Sequence, residues 1–129
     1  MYLIDTQVMV WALVNRERLS ANSILSNTDN VLLVSYISLF EIVIKQQLNK
    51  LPEFTPSTNE LIRQLAIDDF QLLPIQTEHI AGYTKLPFHD DHRDPFDRLL
   101  LATAFTENIP IVSADTKFQR YIPLVEVIW

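Results

Sequence analysis

Apolar residues in this chain come in short continuous runs separated by longer stretches of helical spacing. Tyr2-Leu3-Ile4, Val31-Leu32-Leu33-Val34-Ser35, Phe70 to Ile75, Ile111-Val112-Ser113 and Leu124 to Trp129 are such runs, bounded by turn residues, and predict strands. The run at 31–35 has the unbroken apolar character of a strand buried on both faces of a parallel sheet. The last run has partly alternating polarity, as expected of an edge. Between them, Gln7 to Val14 reads as a buried helix, Ser20 to Ser26 as a short one, Ser38 to about Leu48 as a largely apolar one, and Leu61, Ile62, Leu65 and Ala66 as the inner face of an amphipathic one. Strands alternating with helices predict an α/β fold. The expected architecture is a single domain over residues 1–129, with a mainly parallel, four- to five-stranded sheet flanked by helices and right-handed crossovers.

Helix starts are marked by side chains that satisfy free backbone N–H groups. Ser38 with Glu41 and Ser57 with Glu60 match the capping box, Thr77 is placed to cap a helix running to about Lys85, and Asp5 to cap the helix after the first strand. The clearest start is Asp94-Pro95: an acid at the cap, then proline where its fixed φ suits the first helical residue. Asp97 falls in the first turn, and Leu99 to Phe105 is almost wholly apolar, so this helix must be buried round most of its circumference. The polar stretch His89-Asp90-Asp91-His92-Arg93 before it reads as a solvated loop, His79 as a structural residue, and Asp68-Asp69 as a solvated helix end. Thr116 to Tyr121 is expected to form a short helix or turn.

Composition narrows the chemistry. At 129 residues, 48% hydrophobic and 20% charged, the chain has the balance of one globular domain. With no cysteine, thiolate zinc sites and disulfides are excluded, and a reducing cytoplasm is the natural compartment. A single glycine leaves no Gly-rich phosphate loop. The first residues lack the basic and long apolar stretches of a secretory signal, and no run is long enough to span a membrane. A net charge of −6 argues against unaided nucleic-acid binding, but not against an enzyme whose acids hold cations that in turn hold phosphate; it also suits a basic partner chain.

Four acids share one local setting. Asp5 and Asp115 end strands, while Glu41 and Asp97 sit at the beginnings of buried helices. In a parallel sheet these places converge on the crevice beyond the strands' carboxyl ends. Three of them have an ordinary alternative: Asp5 and Asp97 as helix-start acids, Glu41 as capping-box partner of Ser38 or ion-pair partner of Lys45. Carboxylates brought together repel one another unless cations compensate, and hard oxygen donors without cysteine select Mg²⁺ or Mn²⁺. Two such ions about 4 Å apart can activate a water for phosphodiester hydrolysis.

Leu3-Ile4-Asp5-Thr6, Ser38 with Glu41-Ile42 and Lys45, Asp94-Pro95-Phe96-Asp97-Arg98-Leu99-Leu100 with Ala102 and Ala104, and Ser113-Ala114-Asp115 occur here in an order that resembles the PIN-domain nucleases, and most nearly the VapC-type toxins of bacterial toxin–antitoxin pairs. The resemblance spans nearly the whole chain. It implies that Asp5, Glu41, Asp97 and Asp115 are catalytic, metal-binding acids holding one or two Mg²⁺ (or Mn²⁺) ions. Asp94 would be an additional acid, with Thr6 and Ser113 as supporting hydroxyls. It further implies RNA cleavage by metal-activated water, a homodimer, and a cognate antitoxin as partner. Lys45 and Arg98 are candidates to contact RNA phosphate; the plainer alternative pairs Lys45 with Glu41, and Arg98 with a neighbouring acid or solvent. Two departures lie away from the four acids: Gln7 where related chains often carry histidine, and Asn49 where glycine usually precedes Lys50-Leu51. A phosphatase or receiver domain using Asp5 as nucleophile fits less well, because Gln7 replaces the second acid a phosphatase needs and Ser113-Ala114-Asp115, at the end of a late strand, supplies no lysine for a receiver. A catalytically inactive PIN-like binding module is the other competing reading.

Overall fold

A computed structural model describes residues 1–20 and 22–129, with Asn22 and Ser23 described through their backbone alone. Five parallel strands form one sheet: β1 (Tyr2–Ile4), β2 (Leu32–Ser35), β3 (Phe70–Leu73), β4 (Ile111–Val112) and β5 (Val127–Ile128), in the order β3-β2-β1-β4-β5. From β1 the chain steps outward through β2 to β3, then crosses back to lay β4 and β5 on the other side of β1. The strand order therefore reverses between β1 and β4, and the two helical connections there diverge to leave a crevice. The helices are α1 (Thr6–Val14), α2 (Asn22–Ser26), α3 (Tyr36–Gln47), α4 (Thr58–Ile67), α5 (Thr77–Tyr83) and α6 (Pro95–Glu107), with 3₁₀ turns at Arg16–Arg18 and Thr116–Tyr121.

The sheet is covered on both faces, and the period of two along each strand shows how. Leu3, Leu33 and Ile111 join one core with Leu100, Leu101, Phe118 and Tyr121, while their neighbours Ile4, Val34 and Val112 join the other with Val8, Met9, Leu61 and Leu65. The register sets Leu3 beside Leu33 and Ile111, so each layer is continuous across strands. This explains why the strand runs read as unbroken apolar blocks.

The predicted elements are present, with shifted boundaries. α3 starts at Tyr36, not Ser38, because Ser35 Oγ accepts from the Ile37 amide at 3.1 Å; the capping box expected of Ser38 and Glu41 does not form, and both side chains are free for other partners. α5 is capped from Gln76 rather than Thr77 and ends at Tyr83; its His79 is buried, taking the Gln76 N–H on Nδ1 at 3.0 Å and facing Glu107 at 2.6 Å, in the structural role expected of it. α4 begins at its expected box, with Ser57 Oγ accepting from Glu60 N at 3.2 Å. The third and last strands are shorter than predicted, and β5 lies at the edge. The helix expected from Ser20 is seen as α2; Ala21, within that expectation, lies outside the described residues.

α6 is the central piece. Asp94 accepts from the amides of Phe96 at 2.9 Å and Asp97 at 3.1 Å, and Asn108, with φ of 55°, closes the other end in the left-handed conformation that asparagine tolerates. Packing of α5 against α6 depends on the one glycine. A Cβ on Gly82 would lie 2.4 Å from Thr106 Oγ1 and 3.3 Å from the carbonyl oxygen of Ala102. No helix among the described residues is long and apolar enough to cross a membrane.

Candidate metal centre at the carboxyl ends of the strands

The reversal of strand order opens a crevice of about 340 Å³, lined by Asp5, Glu41, Asp94, Asp97 and Asp115 together with Gln7, Trp11, Lys45 and Ala114. The four acids singled out in the sequence, and the fifth beside them, thus meet in one place.

Each is held by a partner distant in sequence. Asp5 stands at the cap position of α1 but its carboxylate makes no cap bond; Oδ2 instead accepts from Ser113 Oγ at 2.8 Å. Ser113 in turn accepts from the Asp115 amide at 3.1 Å, so one hydroxyl ties the acids after β1 and β4 together. Asp115 Oδ1 accepts from Lys117 N at 2.9 Å. Thr6 Oγ1 donates to Glu41 Oε1 at 2.8 Å and sits 2.9 Å from Ser38 Oγ, while Lys45 Nζ reaches Glu41 Oε2 at 2.7 Å. The stripe Ser38-Glu41-Lys45 on α3 therefore faces α1 and the crevice rather than capping its own helix.

The electrostatics follow from burial and crowding. Burial pushes the Asp5 carboxyl up to about 7 despite the Ser113 hydrogen bond, with Asp97 and Glu41 adding repulsion. Asp97 is likewise raised to about 7, by burial and then by Asp94, Glu41 and Asp115. Partial burial works against the Lys45 ammonium, but its bond to Glu41 and the nearby charges of Glu41, Asp97 and Asp94 more than offset this and raise its pKa. One lysine does not neutralise such a set. Asp97 and Asp115 each keep a carboxylate oxygen without a hydrogen-bond partner among the described residues. Hard, anionic oxygen donors with unengaged lone pairs fit Mg²⁺ or Mn²⁺.

A profile of the family described as PIN domain matches residues 2–122. The chain belongs to the PIN domain family. No curated protein gives a significant match. Solved structures similar to this PIN domain include VapBC2 from Rickettsia felis bound to a DNA fragment from its promoter (19% identity, TM-score 0.69, covering 98% of this chain and 96% of that one). A toxin–antitoxin complex from Klebsiella pneumoniae (18%, 0.67, 100% and 97%) and FitAcB from Neisseria gonorrhoeae (17%, 0.65, 100% and 97%) are others. At these identities the likeness is one of fold, and it extends over the full length of the PIN domain.

Two readings of the sequence are corrected by this geometry. Arg98 is not available to RNA phosphate: it is buried, donating Nη1 to the Pro87 carbonyl and to Tyr121 Oη, each at 3.0 Å, with its guanidinium 4.8 Å from the Tyr83 ring centre. Nor does it meet solvent or pair with an acid among the described residues. His92 does not sit in a solvated loop. It is buried between Phe118 and Tyr121, with Nδ1 2.8 Å from Tyr121 Oη and Nε2 3.1 Å from Asp97 Oδ2. Potential ligand atoms of His92, Asp97 and Asp115 all lie within 4.8 Å of one another. Burial lowers the His92 pKa although Asp115 and Asp94 pull it upward, which favours the neutral ring. His89 is likewise not solvated but half-buried, its ring 5.3 Å from that of Tyr121, whereas Asp90, Asp91 and Arg93 are exposed as expected: Asp90 pairs with Arg93 at 3.2 Å, and Asp91 with Arg120. Trp11 is a further lining residue that local pattern did not single out, and Gln7, expected to lie away from the four acids, lines the same crevice as they do.

Proposed function

We propose that this PIN domain is a cytoplasmic, Mg²⁺- or Mn²⁺-dependent endoribonuclease, the toxin of a toxin–antitoxin pair. The observation that carries this is the meeting of Asp5, Glu41, Asp97 and Asp115, with Asp94 beside them, in one crevice whose negative charge exceeds what Lys45 balances. One or two divalent ions held by these carboxylates supply, when bound, an activated water and positive charge for the leaving oxygen. The chain's own residues orient the ligands: Ser113 fixes Asp5 and couples it to Asp115, and Thr6 fixes Glu41. Lys45, half exposed at the crevice, is the basic residue placed to meet an RNA phosphate. With a net charge of −6, RNA binding depends on cations in the crevice.

Two protein partners belong to the proposal. A basic antitoxin suits the acidic chain, and one of the similar folds named above, that from Klebsiella pneumoniae, was solved as a toxin–antitoxin complex. A second copy of the chain suits the apolar crevice of about 480 Å³ between α3, α5 and α6, where Phe40 and Ile80 are each 57% exposed and face Phe96 and Leu99. The deciding experiment is RNA cleavage with Mg²⁺ or Mn²⁺ by wild type and Asp97→Asn, both checked for native circular dichroism. Cleavage must disappear in the variant; full activity in a folded Asp97→Asn protein refutes the assignment.

A further inference from the structure

We propose that His92 is a positioning residue for Asp97, locked in its Nε2–H tautomer by a one-way chain of hydrogen bonds that starts at the buried guanidinium of Arg98. The proposal deepens the reading of the crevice as a metal centre and rests on it.

The direction of the chain follows from what each group can do. A guanidinium only donates, so at 3.0 Å the Tyr121 oxygen accepts from Arg98 Nη1. The phenol has one proton of its own, and His92 Nδ1 lies 2.8 Å away to receive it. A neutral imidazole that accepts at Nδ1 carries its proton on Nε2, and that N–H points at Asp97 Oδ2, 3.1 Å away. The permanently charged guanidinium sets the direction at the near end, and Asp97 Oδ2 at the far end is placed to accept what arrives. The opposite tautomer, with a bare Nε2 turned to a cation, would put two donors on Tyr121 and leave the phenol proton without an acceptor among the described residues. Arg98, Tyr121 and His92 are each no more than 4% exposed, so water does not substitute for a missing partner.

The consequence lies at Asp97. With Oδ2 taken by His92, the carboxylate cannot spin about its last torsion, and Oδ1 is the oxygen presented to the crevice. Outer-shell groups of this kind typically change metal affinity or activity about 10- to 100-fold. The chain also gives Arg98, next to Asp97 in sequence, a use that its charge alone does not suggest.

The test uses the full chain. Histidine is labelled with ¹⁵N, metal is removed with EDTA, and the His92 signals are assigned by their loss in His92→Gln. The expected result is a proton on Nε2 and none on Nδ1 in wild type, with Tyr121→Phe shifting the ring toward the Nδ1–H form or a mixture. A wild-type Nδ1–H tautomer, or a tautomer unmoved by Tyr121→Phe, overturns the proposal. In calorimetric titration with Mn²⁺, His92→Ala and Tyr121→Phe are expected to weaken binding about tenfold. His92→Gln, whose amide N–H stands near the lost Nε2–H, is expected to recover most of the loss. A folded His92→Ala protein that binds Mn²⁺ like wild type overturns the positioning role; a His92→Gln protein no better than His92→Ala overturns it in favour of direct ligation. Wild type that binds no Mn²⁺ defeats the metal reading of the crevice, and the tautomer measurement, made without metal, still decides the relay.

Discussion

Two crevices share the same two helices. Glu41 on α3 and Asp97 on α6 line the acidic one; Phe40 and Phe96, the residues immediately before them, line the apolar one and meet edge to face at 5.9 Å. Successive residues on a helix point about 100° apart, so one helix start can serve two surfaces of opposite chemistry at once. Both surfaces are energetically unfinished within the chain. In the first, burial and then mutual repulsion raise carboxylates to about 7; in the second, large apolar side chains remain in water. Each calls for a partner from outside, a cation for one and an apolar surface for the other. Because the two sets of side chains diverge, substitutions in one should leave the other working.

The largest expected effect is at the acidic crevice. Asp97→Asn should abolish RNA cleavage, a loss beyond the roughly 10- to 100-fold typical of groups that only support a metal ligand. Its sedimentation behaviour should stay that of wild type. Smaller, and on the other surface, Phe40→Ser should weaken self-association by about 2 kcal/mol, roughly thirtyfold in Kd. Sedimentation equilibrium measures this, and Mn²⁺ affinity should not move. A Phe40→Ser protein that loses Mn²⁺ binding breaks the division between the two crevices.

Next comes pH. Asp5 and Asp97 have folded pKa values near 7 against an ordinary 3.8, so the folded chain binds protons more tightly than the unfolded one. Their contribution to stability is therefore full below about pH 4 and is lost as pH rises to about 7. In EDTA, Asp97→Asn should flatten this fall and raise the neutral-pH melting temperature by about 3–6 °C. Mn²⁺ should stabilise wild type increasingly over the same pH range. A wild-type slope indistinguishable from the variant's would show that the carboxylates are not crowded as described.

The smallest effect sharpens the apolar side alone. Gly82→Ala improves helix propensity by up to about 1 kcal/mol, but its methyl group meets Thr106 Oγ1 and the Ala102 carbonyl. A net loss of about 1 kcal/mol is expected, reduced when Thr106→Ala removes the hydroxyl. Chemical denaturation of the single and double variants tests it. Since Ile80 and Tyr83 of α5 wall the apolar crevice, self-association should weaken while cleavage persists.

Much of this was legible in the residues themselves. The strand runs, the cap at Asp94 with Pro95 behind it, and the placing of acids after strands are local features, and local features set where elements begin and end. The choice of hard-oxygen chemistry likewise needed only the acids and the lack of cysteine. Ser38 shows the limit. It matches a cap by spacing, yet Ser35 takes that role and Ser38 turns to Thr6, because the helix begins one residue after the strand. His92 and Arg98 show it more sharply. His92, between Asp91 and Arg93, looks solvated, and Arg98, beside Asp97, looks like a partner for an acid or a phosphate; no nearby residue announces that Tyr121 is folded in behind them.

What the sequence determined by itself was the succession of elements and the kind of donor available for a cation. Tertiary structure alone decided which polar groups find one another: Ser113 with Asp5 across 108 positions, Thr6 with Glu41 across 35, His92 with Tyr121 across 29. The reason is physical. Periodicity records which face of an element is apolar, whereas a hydrogen bond between elements depends on their rotation and depth of packing to within a few tenths of an ångström, and those are set by the whole core at once.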